Sequence, residues 1–141
     1  MLQGLQHLHG EGLIHRDLKP ANVLLSKGRV KICDLGLTVR ASTVHQPVTF
    51  PNRGGTLLYQ APEQVDGVAY SKPIDMWAAG LIMHEMLTGR HILADHRQHS
   101  KQEVQKIISN LTNEDLQVSD ANLSRMAVSL LSLLINAVAK Q

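Results

Sequence analysis

Apolar positions recur with a helical period in three stretches of the 141-residue chain and gather in short runs between them. Leu2, Leu5 and Leu8 fall three apart and lead into Gly10-Glu11-Gly12, the pattern of a helix tail with a glycine stop. Leu13-Ile14 reads as a short strand. Asn22-Val23-Leu24-Leu25 and Val30-Lys31-Ile32-Cys33, joined through Ser26-Lys27-Gly28-Arg29, read as a hairpin with a glycine-containing turn. From Gly36 to Ala61 the periodicity is lost, and Thr38, Ser42, Thr43, Thr49, Pro47, Pro51 and Gly54-Gly55 mark one long loop, of the kind that is usually functional. Ser71-Lys72-Pro73 then offers a cap and an early proline to a helix over about 74–87. That segment is apolar on nearly every side, so it is expected to be buried all round. Residues 90–122 are polar, with one short helix expected at Lys101–Ile108. Leu123, Ala127, Leu130, Leu131, Leu134, Ile135 and Val138 line one face of a C-terminal helix at about 123–139, read as core packing or else as a partner-binding face.

Composition narrows the class. Hydrophobic residues at 43% and charged residues at 18% describe a globular chain rather than a disordered one. Aromatic residues are scarce (Phe50, Tyr59, Tyr70 and Trp77), so the core must be aliphatic. Cys33 is the single cysteine, which excludes an internal disulfide and suits a reducing, intracellular and cytoplasmic setting, with the nucleus left open. The N-terminal residues have no basic region followed by an apolar run, and no stretch reaches the ~20 apolar residues of a membrane span. Fourteen Lys+Arg against twelve Asp+Glu leave a net charge of +2, unclustered and without interleaved aromatics. Neither nucleic-acid binding nor membrane association is therefore expected.

The chemistry concentrates in His15-Arg16-Asp17-Leu18-Lys19-Pro20-Ala21-Asn22 and, beyond the hairpin, Asp34-Leu35-Gly36. Two carboxylates, an amide and an ammonium converge on one edge. Hard oxygen donors with an adjacent cation suit Mg²⁺ carrying a polyphosphate, and a second carboxylate suits a proton acceptor. These segments resemble the H-R-D-x-K-P-x-N catalytic loop and the D-F-G motif of eukaryotic protein kinases, the latter as D-L-G. Ala61-Pro62-Glu63 is similar to A-P-E, Gly55-Thr56 with Tyr59 to the loop that seats the acceptor, and Asp75-x-Trp77-x-x-Gly80 to the buried helix beneath the catalytic loop.

The resemblance implies an α+β fold, mostly α: a protein-kinase-like C-terminal lobe with short β-hairpins, spanning 1–141, with the N-terminal lobe missing. Its parts would be a catalytic loop at 15–22, an activation segment at 34–63, the buried helix and the C-terminal helix. It implies that Asp17 accepts or orients the substrate hydroxyl, Lys19 neutralises the γ-phosphate, and Thr56 braces both. Asn22 and Asp34 would hold Mg²⁺. Leu24 would floor the adenine of ATP above Ile82 and Met86, while His15 and Leu35 would stack and Asp75 would hold catalytic-loop amides. Lysine two positions after Asp17 marks the serine/threonine form, with a protein substrate. Arg16 beside Asp17 points to a phosphosite at Thr49 or Thr43, then Ser42, filled by an upstream kinase or by self-phosphorylation.

Other side chains keep two readings. Glu85 is a substrate contact or a surface charge, and His96-x-x-His99 is a solvated loop before it is a metal site. Two features depart from the family pattern. The residues carry no G-x-G-x-x-G over the phosphates, no strand lysine for the α/β-phosphates and no helix glutamate to pair with it, and no late arginine answers Glu63, whose burial unpaired would cost roughly 3–5 kcal/mol. The chain by itself is thus expected to be inactive and to leave Leu24 and Leu35 exposed. A pseudokinase-like scaffold that binds partners without catalysis is the alternative.

Overall fold

The computed structural model describes residues 1–41, 54–96 and 99–111. The helix expected at 123–139 and the candidate phosphosites Ser42, Thr43 and Thr49 lie outside the described residues. Helix α1 spans Leu2–Gly10, and strand β1 is Leu13–Ile14. The hairpin consists of β2, Val23–Ser26, and β3, Arg29–Ile32, paired antiparallel with Ser26 opposite Arg29. Lys27 and Gly28 in its turn both have positive φ, as a two-residue type I′ connection requires.

The stretch read as one long loop is more structured than expected. Strand β4, Val39–Arg40, pairs antiparallel with β1, and the Ala41 amide extends the ladder to the Gly12 carbonyl at 2.8 Å. Further on, Leu57–Tyr59 forms a 3₁₀ turn and α2 spans Pro62–Asp66. Pro62 suits a first helical position because its missing amide would have no partner there, and the Ala61 amide donates to Gln64 Oε1 at 3.0 Å.

Helix α3 runs over Pro73–Thr88. Ser71 does not cap it: Lys72 holds the cap position, and the Ser71 hydroxyl is buried without a hydrogen bond among the described residues. The broad apolar surface of α3 has a structural cause, because two separate clusters each take part of it. Ile74, Trp77 and Leu81 pack with Ile14, Ala41, Ala61 and Tyr70. Ala78, Ala79 and Ile82 pack with Leu5 and Leu18. The burial expected all round fails at the C-terminal turn, where Met86 is 75% exposed and Leu87 also faces solvent. The last segment, Ala94–His96, is a 3₁₀ turn, followed by α4 at Lys101–Ser109. Ser100 and Glu103 close α4 reciprocally, the Ser100 amide donating to Glu103 Oε2 at 2.7 Å and the Glu103 amide to Ser100 Oγ at 3.3 Å. Val104 and Ile108 set α4 against Val65 of α2 and Leu93. Among the described residues no helix is long and apolar enough to cross a membrane.

Candidate active site

The loop between β1 and β2 is held from below by α3. Asp75, 1% exposed, accepts from the His15 amide at 2.8 Å, the Arg16 amide at 2.9 Å and His9 Nε2 at 2.8 Å. Two of these donors are buried backbone groups, and buried amides need a partner, so the carboxylate that satisfies them fixes the path of the loop. Arg16 sits at φ 71, a region that costs a non-glycine residue energy and persists only where surrounding contacts enforce it. The Arg16 guanidinium reaches toward the Leu37 carbonyl at 3.4 Å and lies 5.8 Å from the Tyr70 ring centre. His15 is fully buried. Its Nδ1 accepts from the Asp17 amide at 3.3 Å, which leaves the proton on Nε2 to donate to the Cys33 carbonyl at 3.0 Å.

Above this base four of the expected residues meet. Asp17 Oδ1 accepts from both the amide and the hydroxyl of Thr56, each at 2.8 Å. Asp17 Oδ2 accepts from Lys19 Nζ at 2.8 Å, and the same ammonium donates to Thr56 Oγ1 at 3.0 Å. Asn22, in the 3₁₀ turn Pro20–Asn22, donates through Nδ2 to the Asp17 carbonyl at 2.8 Å. Burial alone would push the Asp17 carboxyl up, but the hydrogen bonds from Lys19 and Thr56 and the lysine charge outweigh it and hold the group below its ordinary value. Asp17 is therefore ionised at neutral pH and able to accept a hydroxyl proton.

The donor set for a cation is chemically suitable but sparse. Asn22 Oδ1 and the exposed Asp34 carboxylate are hard oxygen donors, and Asp34 Oδ1 accepts from the Gly36 amide at 3.2 Å. Mg²⁺ is normally held by one or two protein oxygens with phosphate and water completing its shell, so the pair fits that ion when it arrives with a nucleotide. Among the described residues no group of three or more His, Cys, Asp or Glu could hold a metal, and the His96 and His99 rings stack edge to face at 5.0 Å.

The exposure expected of Leu24 and Leu35 is seen, at 51% and 52%, while Met86 points to solvent rather than packing under Leu24. Leu25 and Val30 are further exposed apolar side chains of the hairpin, and Leu37 is one beyond it. Two further bonds are not apparent from the motifs. The Tyr59 hydroxyl donates to Glu85 Oε2 at 2.6 Å, tying the Leu57–Tyr59 turn to α3, and His9 reaches Asp75 from α1.

Gly55 is where backbone freedom is required. It has φ +103, and a Cβ there would lie 2.6 Å from the Arg16 carbonyl oxygen. Gly55→Ala is expected to cost roughly 2–4 kcal/mol of unfolding free energy and to pull Thr56 from Asp17. Gly28→Ala, at φ +71 with nothing within 4 Å, is the control and should lose only roughly 1–2 kcal/mol. Equal losses in urea denaturation would show that the close approach to Arg16 does not matter.

Glu63 supplies the pH-dependent element. Desolvation, with Asp66 adding repulsion, raises its carboxyl to about 7 against one opposing backbone bond, and among the described residues no cation pairs with it. The folded state thus holds a proton that the unfolded state releases. This contribution is complete below the unfolded value of 4.5 and is lost as pH rises through about 7. Glu63→Gln should stabilise the chain at about pH 8 by on the order of 1–3 kcal/mol more than it does at about pH 4. Urea midpoints at the two pH values check this, and parallel curves for the two proteins would refute it.

With this geometry in view, comparisons with known proteins agree. The protein kinase domain model matches residues 1–141. A protein of Encephalitozoon cuniculi named as a probable serine/threonine-protein kinase is 46% identical over 88 residues, covering 62% of this chain and 16% of the relative. G protein-coupled receptor kinase 1 of Caenorhabditis elegans is 38% identical over 128 residues, 90% of this chain and 19% of the relative. Stress-activated protein kinase JNK of Drosophila melanogaster is 41% identical over 90 residues, 63% of this chain and 23% of the relative. The chain spans about a fifth of the length of these relatives. The chain belongs to the protein kinase family.

Proposed function

We propose that residues 1–141 are the C-terminal lobe of a serine/threonine kinase domain that transfers the ATP γ-phosphoryl group to Ser or Thr hydroxyls of a protein. The closed set of hydrogen bonds among Asp17, Lys19 and Thr56 carries this reading. Asp17, ionised and fixed on two sides, orients the attacking hydroxyl and takes its proton. Lys19, three donors on one ammonium, can keep Asp17 and Thr56 while turning a third proton toward the transferring phosphoryl oxygens. Asn22 and Asp34 would hold Mg²⁺, which, when bound, neutralises phosphate charge. Positioning and charge neutralisation are most of what phosphoryl transfer requires. The name of the Encephalitozoon relative favours the serine/threonine form, and Lys19 supports it.

No glycine-rich phosphate loop followed by a strand lysine for the α/β-phosphates lies among these residues, so the chain alone is expected to transfer no phosphate. Joined to the segment that precedes the matched residues in the nematode receptor kinase, it should phosphorylate a generic Ser/Thr acceptor with Mg-ATP. Transfer by the isolated chain, or none by a well-folded chimera, would overturn the reading. The scaffold alternative draws on the exposed Leu24, Leu25 and Leu35, and a folded but inactive chimera would favour it. Within the kinase reading, phosphorylation at Thr49, Thr43 or Ser42 would supply an anion to the buried Arg16. An active chimera whose activity survives alanine at all three positions excludes that control.

A further inference from the structure

Two glutamines flank the A-P-E segment's first residue, Ala61, and both are buried: Gln60 is 7% exposed and Gln64 6%. A side-chain amide out of water needs hydrogen-bond partners to offset what burial costs it. Gln64 finds one at the start of its own helix, where its Oε1 accepts the Ala61 amide at 3.0 Å. Gln60 reaches back along the chain instead. Its Nε2 donates to the Gly54 carbonyl at 2.9 Å and to the Gly55 carbonyl at 3.3 Å. Both partners only accept, so the nitrogen end of the amide must face them, and its two hydrogens serve one carbonyl each.

The bond to Gly55 bears on the site. The Gly55 carbonyl and the Thr56 amide are the two ends of one planar peptide group. Gln60 holds the oxygen of that group, and Asp17 Oδ1 accepts from its nitrogen at 2.8 Å. A trans peptide pinned at both ends cannot turn, so the side chain that fixes the carbonyl also aims the N–H at the carboxylate. Without that hold the turn has little to set its course. Gly54 and Gly55 carry no side chains, and glycine has the widest choice of backbone conformations. Among the described residues no backbone amide donates to either carbonyl. Gln60 itself stands on a fixed base, since its own amide donates to the Leu57 carbonyl at 3.1 Å and the next residue is tied to Gln64.

We propose that Gln60 is a positioning residue for phosphoryl transfer: by clamping the Gly54 and Gly55 carbonyls it keeps Thr56 on Asp17, and through Thr56 Oγ1 it keeps Lys19 Nζ in place. The link to transfer rests on the proposed function. The clamp is a property of the chain and is measured without catalysis.

Gln60→Met keeps the length of the side chain and removes both donors. Amide exchange of the 141-residue chain, followed by NMR, should show the Thr56 amide exchanging about fivefold to tenfold faster relative to α3 amides than in the parent. Gly28→Ala, on the hairpin turn, is the comparison, because it lowers stability without touching the clamp and should leave that ratio unchanged. Gln60→Leu is the second variant should Gln60→Met not fold. In the chimera, Gln60→Met should lower kcat about tenfold or more, with a smaller change in KM for ATP. A Thr56 ratio that stays at the parent's value, or that Gly28→Ala shifts equally, would overturn the proposal, as would a kcat within about twofold of the parent chimera. An inactive parent chimera would overturn the proposed function and with it the link to transfer, while exchange still decides whether Gln60 holds Thr56.

Discussion

Asp17→Asn in the chimeric domain is expected to lower kcat by about 100-fold to 10,000-fold, the range over which a positioned proton acceptor contributes. The substitution preserves shape. Thr56 can still donate to one side-chain oxygen, as it does to Asp17 Oδ1 through its amide and hydroxyl at 2.8 Å. What changes is the other end of the group. Oδ2, which accepts Lys19 Nζ at 2.8 Å, becomes an amide nitrogen that can only donate. It would face the ammonium with hydrogens, release Lys19 from its place and offer no acceptor to a substrate hydroxyl. The loss of the proton acceptor should fall mainly on kcat, with a smaller rise in KM for ATP from the displaced Lys19. Steady-state kinetics on both chimeras, with folding checked by melting, decide it. Activity within about threefold of the parent would remove Asp17 from the chemistry.

Removing the Asp75 carboxylate should be the most damaging change to stability. In Asp75→Ala the His15 and Arg16 amides and the His9 ring lose an acceptor in a site that is 1% exposed. Leaving buried donors unsatisfied costs ~1–3 kcal/mol each, so a loss of about 3–5 kcal/mol is expected, a large part of a domain's usual 5–15. Asp75→Asn should fall between, since its one oxygen can serve only part of the set. Urea denaturation measures the global effect. Amide exchange at His15 and Arg16 reads the local one, because these two protons should lose protection before the rest of the chain does. A loss below about 1 kcal/mol in Asp75→Ala would mean that the loop holds its path without α3.

The same two residues show what could be read from sequence. Asp17, Lys19, Asn22, Thr56 and Asp75 are all recognisable because their spacing follows an ordered set of motifs; the structure joins the first four and sets Asp75 under the loop at His15 and Arg16. His9 carried no such signal. It sits on a helix whose visible pattern is Leu2, Leu5 and Leu8, and its bond to Asp75 depends on a tertiary crossing. Tyr59 and Glu85 meet for the same kind of reason. Among elements, α1, the hairpin, α3 and α4 announced themselves through period, glycine or proline. Strand β4 has two residues and exists only because β1 is opposite, and α2 has five, too few to show a period. Met86 illustrates the converse: its apolarity marked it for burial, yet its position on the last turn of α3 leaves it in solvent.

Asp75 also sets an order of events during synthesis. It lies 60 residues after His15 and 66 after His9 in the sequence, so the bonds that shape the catalytic loop are among the long-range contacts of the chain. Contacts of such separation form only after a large loop has closed. A polypeptide still leaving the ribosome can therefore fold α1 and the β2–β3 hairpin from local contacts. The loop between them must wait, its strained Arg16 unsupported, until α3 has been translated and has reached it.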